Sequence, residues 1–148
     1  MSLLKTQLQS DVKEAMKARD KRALGTLRLI MSELKRREVD ERIELKDEDV
    51  LAILEKMTKQ RRDSLAQYQR AGRQDLADQE QYELDLIIKY MPEPMSESEL
   101  LALVRTTIEL TGASSMADMG SVMGALKAEA QGRADMAKVG QLVKAELG

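Results

Sequence analysis

The 148-residue sequence contains no cysteine, histidine, tryptophan or phenylalanine, and its only aromatic residues are three tyrosines. Without cysteine there can be no disulfide framework, thiol nucleophile or thiolate metal site. Without histidine the commonest general acid–base group and the commonest zinc ligand are missing. Aspartate, glutamate, lysine and serine remain, so enzymatic activity is not excluded. We nevertheless expect a protein with no catalytic centre, no bound metal and no cofactor.

Long apolar runs are also missing from the sequence. No stretch is long and apolar enough to span a bilayer, and the amphipathic N-terminal segment lacks an apolar run of signal-peptide length. Neither of the glycine-rich phosphate-binding loops, G-x-x-x-x-G-K-[ST] or G-x-G-x-x-G, occurs. The sequence therefore predicts a cytoplasmic protein that does not associate with a membrane or bind a nucleotide through these loops.

The residues that are abundant favour helices. The chain is 43% hydrophobic and 34% charged, and it is rich in Leu, Ala, Glu, Lys, Arg and Met, which are strong helix formers. With so few aromatic residues, the core has to be aliphatic and methionine-filled, which suits helix-on-helix packing. We expect an all-α fold.

Apolar residues recur at helical spacing in four segments of the first 91 residues. They predict helices over about 3–18, from 21 onward with Asp20 as N-cap, from Asp47 to about Ala71, and over about 74–90. Residues 38–46 have no sustained period and are predicted as a loop. Short links between amphipathic helices predict a four-helix N-terminal bundle over residues 1–91.

Both prolines lie in Met91-Pro92-Glu93-Pro94. This pair disfavours helix and stiffens the chain, so residues 92–95 are predicted to be a joint between two domains. Ser96 and Glu99 have the spacing of a capping box, which predicts a helix start directly after the joint. Residues 96–148 are predicted to form a three-helix C-terminal domain.

The sixth predicted helix carries a small-residue stripe, Gly120, Gly124 and Ala128, at helical spacing. Each interior glycine costs roughly 1 kcal/mol relative to alanine, so the pair requires a reason. The first interpretation is close packing against another helix of the chain. A second is a groove that takes a partner helix, which would make the protein a protein–protein adaptor. The charged flanks exclude a membrane dimerisation motif.

Cations concentrate near the N-terminus: residues 1–37 contain ten Lys or Arg and four Asp or Glu. The densest group, at the predicted turn between the first two helices, is Lys17, Arg19, Lys21 and Arg22. Such a group can contact phosphates, although charged helix surfaces are common without any such role. The net charge of −2 argues against non-specific nucleic-acid binding. No DNA partner is expected.

A second candidate phosphate site is the turn from Gln131 to Asp135. There Gly132 precedes a helix start, and free backbone amides flanked by Lys127 and Arg133 would suit a phosphate. The alternative is that Arg133 pairs with Asp135 or Glu129 and ties the turn together.

Several motifs remain that local physics does not explain. The C-terminal ones are Asp118-Met119-Gly120, Val122-Met123-Gly124-Ala125-Leu126, Gly132-Arg133-Ala134-Asp135 and Val139-x-x-Leu142-Val143. The N-terminal ones are Ala15-Met16-Lys17-Ala18-Arg19-Asp20, Thr26-Leu27-Arg28, Lys59-Gln60-Arg61-Arg62-Asp63-Ser64, Ala71-Gly72-Arg73 and Tyr90-Met91-Pro92-Glu93. Together they resemble the GatB/YqeY family over essentially the whole chain, and the stand-alone YqeY-like members in particular.

This resemblance implies a function. The family includes the tail domain of the GatB component of the Asp/Glu-tRNA amidotransferase, which binds the body of the tRNA, and stand-alone members are associated with carbon–nitrogen ligases that use glutamine. The resemblance therefore implies a tRNA-binding accessory module, with tRNA and a protein of the aminoacyl-tRNA pathway as partners. The chain has no recognisable glutaminase nucleophile, so no amide transfer of its own is expected. Ala128-Glu129-Ala130 also stands where many relatives carry a proline and lysines.

Overall fold

The computed structural model describes residues 2–148, and every regular element in this range is helical. Seven α-helices follow one another, and a short 3-10 turn, Met116–Asp118, precedes the sixth. They are α1 (Leu3–Lys17), α2 (Lys21–Glu41), α3 (Asp47–Arg70), α4 (Gln74–Ile88), α5 (Glu97–Thr111), α6 (Met119–Ala130) and α7 (Met136–Leu147). The predicted all-α class is confirmed.

Several of the helices begin where a short polar side chain precedes the apolar periodicity. In four of them an N-cap oxygen accepts a hydrogen bond from a first-turn amide, and these caps are Ser2, Asp20, Ser96 and Asp135. At Ser96 the amide donor is Glu99, at 3.2 Å. The Glu99 carboxylate accepts from the Ser96 hydroxyl at 3.1 Å, whereas in the predicted capping box it would accept from the Ser96 amide.

The chain divides into two compact units, Met1–Met91 and Pro92–Gly148. In the first unit, helices α1–α4 share one aliphatic core. Its fully buried side chains are Leu8, Ile30, Leu34, Leu45, Val50, Leu54 and Ile87. In the second unit, α5–α7 enclose a smaller core, whose fully buried members are Val104, Val122, Leu126, Ala130, Val139 and Val143.

The loop predicted over residues 38–46 is too long. Helix α2 continues to Glu41 and ends at Arg42, which has a left-handed backbone with φ of 53°. The extra turn is stabilised from outside the local sequence, because Glu38 forms an ion pair with Lys5 of α1. Within the remaining loop Leu45 is only 1% exposed and belongs to the core.

Candidate nucleic-acid interface

A three-residue turn between α1 and α2 presents the cations that the sequence placed there. Helix α1 ends at Lys17, Arg19 has φ of 56°, and the Asp20 carboxylate accepts a hydrogen bond from the Ala23 amide at 3.1 Å. Since Asp20 caps α2, its charge is directed at the helix start. The four cations of this turn, here called the turn cluster, are all exposed: Lys17, Arg19, Lys21 and Arg22.

The charges of the turn cluster are little neutralised. Lys17 lies 3.6 Å from Glu14, but the two side chains are 77% and 70% exposed, so this pair contributes little. Within residues 2–148, no carboxylate lies within 4 Å of the charged nitrogens of Arg19, Lys21 or Arg22. The Arg22 guanidinium instead lies over the ring of Tyr82 in α4, with its Cζ 3.9 Å from the ring centroid. The turn is thus a compact group of cations open to solvent.

At the second predicted phosphate site, around Gly132, the turn itself uses two of the backbone amides. The amides of Arg133 and Ala134 both donate to the carbonyl of Ala130, at 3.0 Å each. The Asp135 carboxylate accepts from the Ala137 amide at 2.9 Å and puts a negative charge at the start of α7. Glycine suits position 132 because the backbone there is left-handed, with φ of 78°, and the residue is buried. These contacts connect α6 to α7, and phosphate binding at this turn stays a prediction.

Arg133 stabilises the proline-containing segment. Its Nε donates to the Glu93 carbonyl at 2.8 Å, its own carbonyl accepts from the Met95 amide at 2.9 Å, and its guanidinium lies 3.7 Å from the Glu99 carboxylate. Residues 92–95 are accordingly held within the second unit. The alternative that Arg133 has a structural role gains support, but with partners different from those predicted. Lys127 is exposed and remains a candidate phosphate-binding residue on its own.

The small-residue stripe on α6 faces outward, so the prediction of close packing against another helix of the chain is wrong. Gly120, Gly124 and Ala128 are all exposed, and a Cβ added at either glycine would meet nothing within 4 Å. The reason is helical phase. Helix α6 buries Val122 and Leu126, and residues two positions away point about 200° around the axis. The spacing of the apolar residues Val122, Leu126 and Ala130 in the sequence could have predicted which face of α6 is buried.

The glycine that does approach a neighbouring helix is Gly140 in α7. A Cβ built there would lie 3.8 Å from the terminal methyl of Met119 and 3.9 Å from that of Met123. Both distances are ordinary van der Waals contact. Methionine side chains of α6 thus cover the position, and no close approach of backbones is involved.

Two features of the first unit were not predicted. The side chains of Arg61 and Glu83 are only 15% and 11% exposed, and they pair at 3.7 Å between α3 and α4. Burial and the neighbouring Glu83 raise the pKa of Glu80, while Arg61 opposes the rise. The second feature is the contact between Arg22 and Tyr82 described above. In the sequence, the only local sign of the pair between Arg61 and Glu83 was that Arg61 interrupts the apolar pattern of α3.

A groove of about 420 Å³ lies between α2 and α3. Ala52, Ile53 and Met57 contribute its apolar lining, and charged residues of both signs complete it. Two of its cations pair with carboxylates of the same helix, Arg36 with Asp40 at 3.9 Å and Arg37 with Glu41 at 2.7 Å. The groove therefore does not have the net positive character that a phosphate backbone requires.

Comparison with known proteins agrees with the motifs and the helical fold. The family model of the Yqey-like protein matches residues 5–147. The chain belongs to the YqeY-like family. This family is the stand-alone domain related to the tail of the amidotransferase component GatB. A match over nearly the whole chain means that both compact units are part of the family domain.

Several fungal relatives carry the name "Altered inheritance of mitochondria protein 41, mitochondrial". The one from Pyrenophora tritici-repentis is 31% identical over 129 residues, which cover 86% of this chain and 71% of the relative. Those from Vanderwaltozyma polyspora and Eremothecium gossypii are 39% identical over 85 residues and 37% identical over 97 residues. These matches cover 57% and 64% of this YqeY-like chain, and only 46% and 53% of the relatives. The chain thus spans about half the length of these two proteins.

The names of these relatives place them in mitochondria, so the predicted cytoplasmic location of this chain stays a prediction. Between residues 2 and 148, none of the helices has the length and apolar character needed to cross a membrane. The same part of the chain contains no group of three or more acidic side chains arranged to hold a metal ion.

Proposed function

We propose that this YqeY-like chain is an accessory module that binds structured RNA, with tRNA as the expected partner, through the turn cluster. The observation that carries the proposal is the exposure of four cations on and beside one short turn, three of them without a carboxylate within 4 Å in residues 2–148. The resemblance to the amidotransferase tail domain supports tRNA as the kind of RNA.

The chemistry of the turn favours contacts with the RNA backbone over contacts with bases. Lysine and arginine bind phosphates and release condensed counterions, which gives affinity with little dependence on sequence. The chain has only three aromatic residues, Tyr68, Tyr82 and Tyr90, whereas proteins that stack bases usually rely on several aromatic side chains. We expect similar affinities for different tRNAs and a marked dependence on salt. The proposal assigns no amide transfer to this chain.

Replacing three members of the turn cluster tests the proposal: Lys17→Gln, Arg19→Gln and Lys21→Gln in one variant. Binding of bulk tRNA is titrated at several salt concentrations. The slope of log affinity against log salt should become shallower by about 0.9 for each phosphate that the variant no longer binds. The matched control replaces three exposed cations of α3 in the same way, Lys56→Gln, Lys59→Gln and Arg62→Gln. If both triple variants change the slope equally, net charge is responsible and the turn is not the site.

A second candidate function is an adaptor that receives a partner helix on the small-residue stripe of α6. The observation in its favour is that Gly120 and Gly124 are exposed with open space above them, although each costs helix stability. Binding through such an apolar surface would depend weakly on salt. Gly124→Leu would block that binding while leaving tRNA affinity unchanged, which separates the two candidates.

A further inference from the structure

Arg22 is the member of the turn cluster whose charged group is held by an aromatic ring. Its Cζ lies 3.9 Å from the centroid of the Tyr82 ring, so a cation of α2 is held over a side chain of α4. Lys17 has only a solvent-exposed pair with Glu14 one turn away. The Arg22 guanidinium therefore has a preferred position in the free protein, set by a cation–π contact.

This contact positions the guanidinium without cancelling its charge. The face of a tyrosine ring has no hydrogen-bond acceptor, so the N–H groups along the guanidinium edge stay available. No carboxylate of residues 2–148 lies within 4 Å of them. An arginine fork held in this way matches two phosphate oxygens, and part of the entropy cost of ordering it is already met before binding.

Gly25 leaves open space on the same face of α2 as Arg22. It lies three residues after Arg22 on α2, and Cβ positions at this spacing are about 5–6 Å apart on a helix surface. Gly25 is exposed, and a Cβ at this position would meet nothing within 4 Å. The bare helix backbone allows a bulky chain such as a phosphodiester backbone to come close to Arg22.

We infer that Arg22, Tyr82 and Gly25 together hold one phosphate of an RNA backbone, an arrangement we call the Arg22 platform. Arg22 supplies the charge, Tyr82 is a positioning residue that acts through Arg22, and Gly25 admits the sugar–phosphate chain. The inference depends on the proposed RNA binding and adds to it one defined phosphate position within the turn cluster.

The test compares bulk-tRNA affinity and its salt slope among point variants that are checked for folding by circular dichroism. Tyr82→Leu should weaken binding about two- to fivefold with the slope unchanged, because the charge remains but is no longer held in place. Tyr82→Phe keeps the ring and should bind like the parent. Arg22→Gln should reduce the slope by about 0.9, the value for one phosphate.

Gly25→Gln adds bulk without charge and should weaken binding at least as much as Tyr82→Leu does. The control is Tyr68→Leu, which makes the same chemical change on α3 and should leave affinity unchanged. If Tyr82→Leu binds like the parent while the triple turn-cluster variant is weakened, the platform is refuted and the proposed function stands. If Tyr82→Phe is as weak as Tyr82→Leu, positioning by the ring is refuted. If the parent shows no salt-dependent tRNA binding, the proposed function itself fails.

Discussion

The buried pair of Arg61 and Glu83 allows a quantitative test of what stabilises the first unit. The two side chains are 15% and 11% exposed, and their charged atoms approach only to 3.7 Å. The Arg61 Nε is buried and has no hydrogen-bond partner among residues 2–148, although Nη1 donates to the Met57 carbonyl at 3.3 Å. The pair is thus desolvated without ideal geometry. For such a pair, removing one partner costs more than removing both.

We expect Glu83→Leu and Arg61→Met each to lower the free energy of unfolding by about 3 kcal/mol, because each leaves an uncompensated charge in the core. The double variant should lie within about 1 kcal/mol of the parent, since two apolar side chains of similar size then pack together. The loss in Arg61→Met should be smaller at pH 5 than at pH 8. Burial and Glu83 raise the pKa of Glu80, and Arg61 opposes that rise. Removing Arg61 therefore raises this pKa further, and proton uptake by the native state offsets part of the loss at pH 5.

Urea unfolding followed by tyrosine fluorescence provides the assay. All three tyrosines lie within residues 1–91 and the chain has no tryptophan, so the signal reports on the first unit alone. The double-mutant cycle should give a coupling energy of several kcal/mol. A double variant as unstable as the two single variants combined would refute the reasoning, because the two side chains would then contribute independently.

Three further predictions concern other parts of the molecule. Gly124→Ala should stabilise the second unit by about 1 kcal/mol in thermal unfolding, because the site is open and helical; Gly112→Ala, at φ of 69°, should do the opposite. Tyr90→Phe should cost about 1 kcal/mol in tyrosine-detected urea unfolding, because it removes the hydrogen bond to Asp11. Burial and Asp11 raise the Tyr90 pKa. The stability difference between parent and Tyr90→Phe should therefore be present below pH about 10 and fade as pH rises through the folded-state pKa. Asp47 accepts hydrogen bonds from the Ser2 hydroxyl and the Leu4 amide at the start of α1, and these bonds lower its pKa. The stability difference between parent and Asp47→Asn should therefore be present above pH about 4 and vanish as pH falls. A gain in stability for Gly112→Ala would contradict the first prediction. Stability differences for Tyr90→Phe and Asp47→Asn that do not change with pH would contradict the other two.

Helix positions were predictable from the sequence because their signals are local. Ser96 begins a helix and Gly112 ends it with φ of 69°, as polar caps and C-terminal glycines commonly do. The end of α2 was missed because a distant residue, Lys5, pairs with Glu38. Leu45 was placed in a loop, correctly, but its burial depends on tertiary packing that periodicity does not report.

The site residues were harder to predict than the helices. The grouping of the turn-cluster cations follows from the short connection between two helices and was anticipated. The role of Arg133 was not, because its acceptor is the Glu93 carbonyl, 40 residues away along the chain. The stripe on α6 was misjudged since small residues fit either a buried or an exposed face, and only the phase set by Val122 and Leu126 decides between them.

The distribution of paired charges favours the first unit as the proposed RNA-binding surface, a choice that the resemblance does not make because it covers both units. Of the five Lys and Arg side chains in residues 92–148, three pair with carboxylates: Arg105 with Glu146, Arg133 with Glu99 and Lys138 with Glu97. A phosphate that approached them would have to displace an acidic partner, and the counterion release that drives RNA binding would be reduced accordingly. The turn cluster has no comparable set of acidic partners. Lys127→Gln should therefore change the salt slope for tRNA by less than the value for one phosphate, while the turn-cluster variant changes it by more than that value. The reverse order would move the binding surface to the second unit.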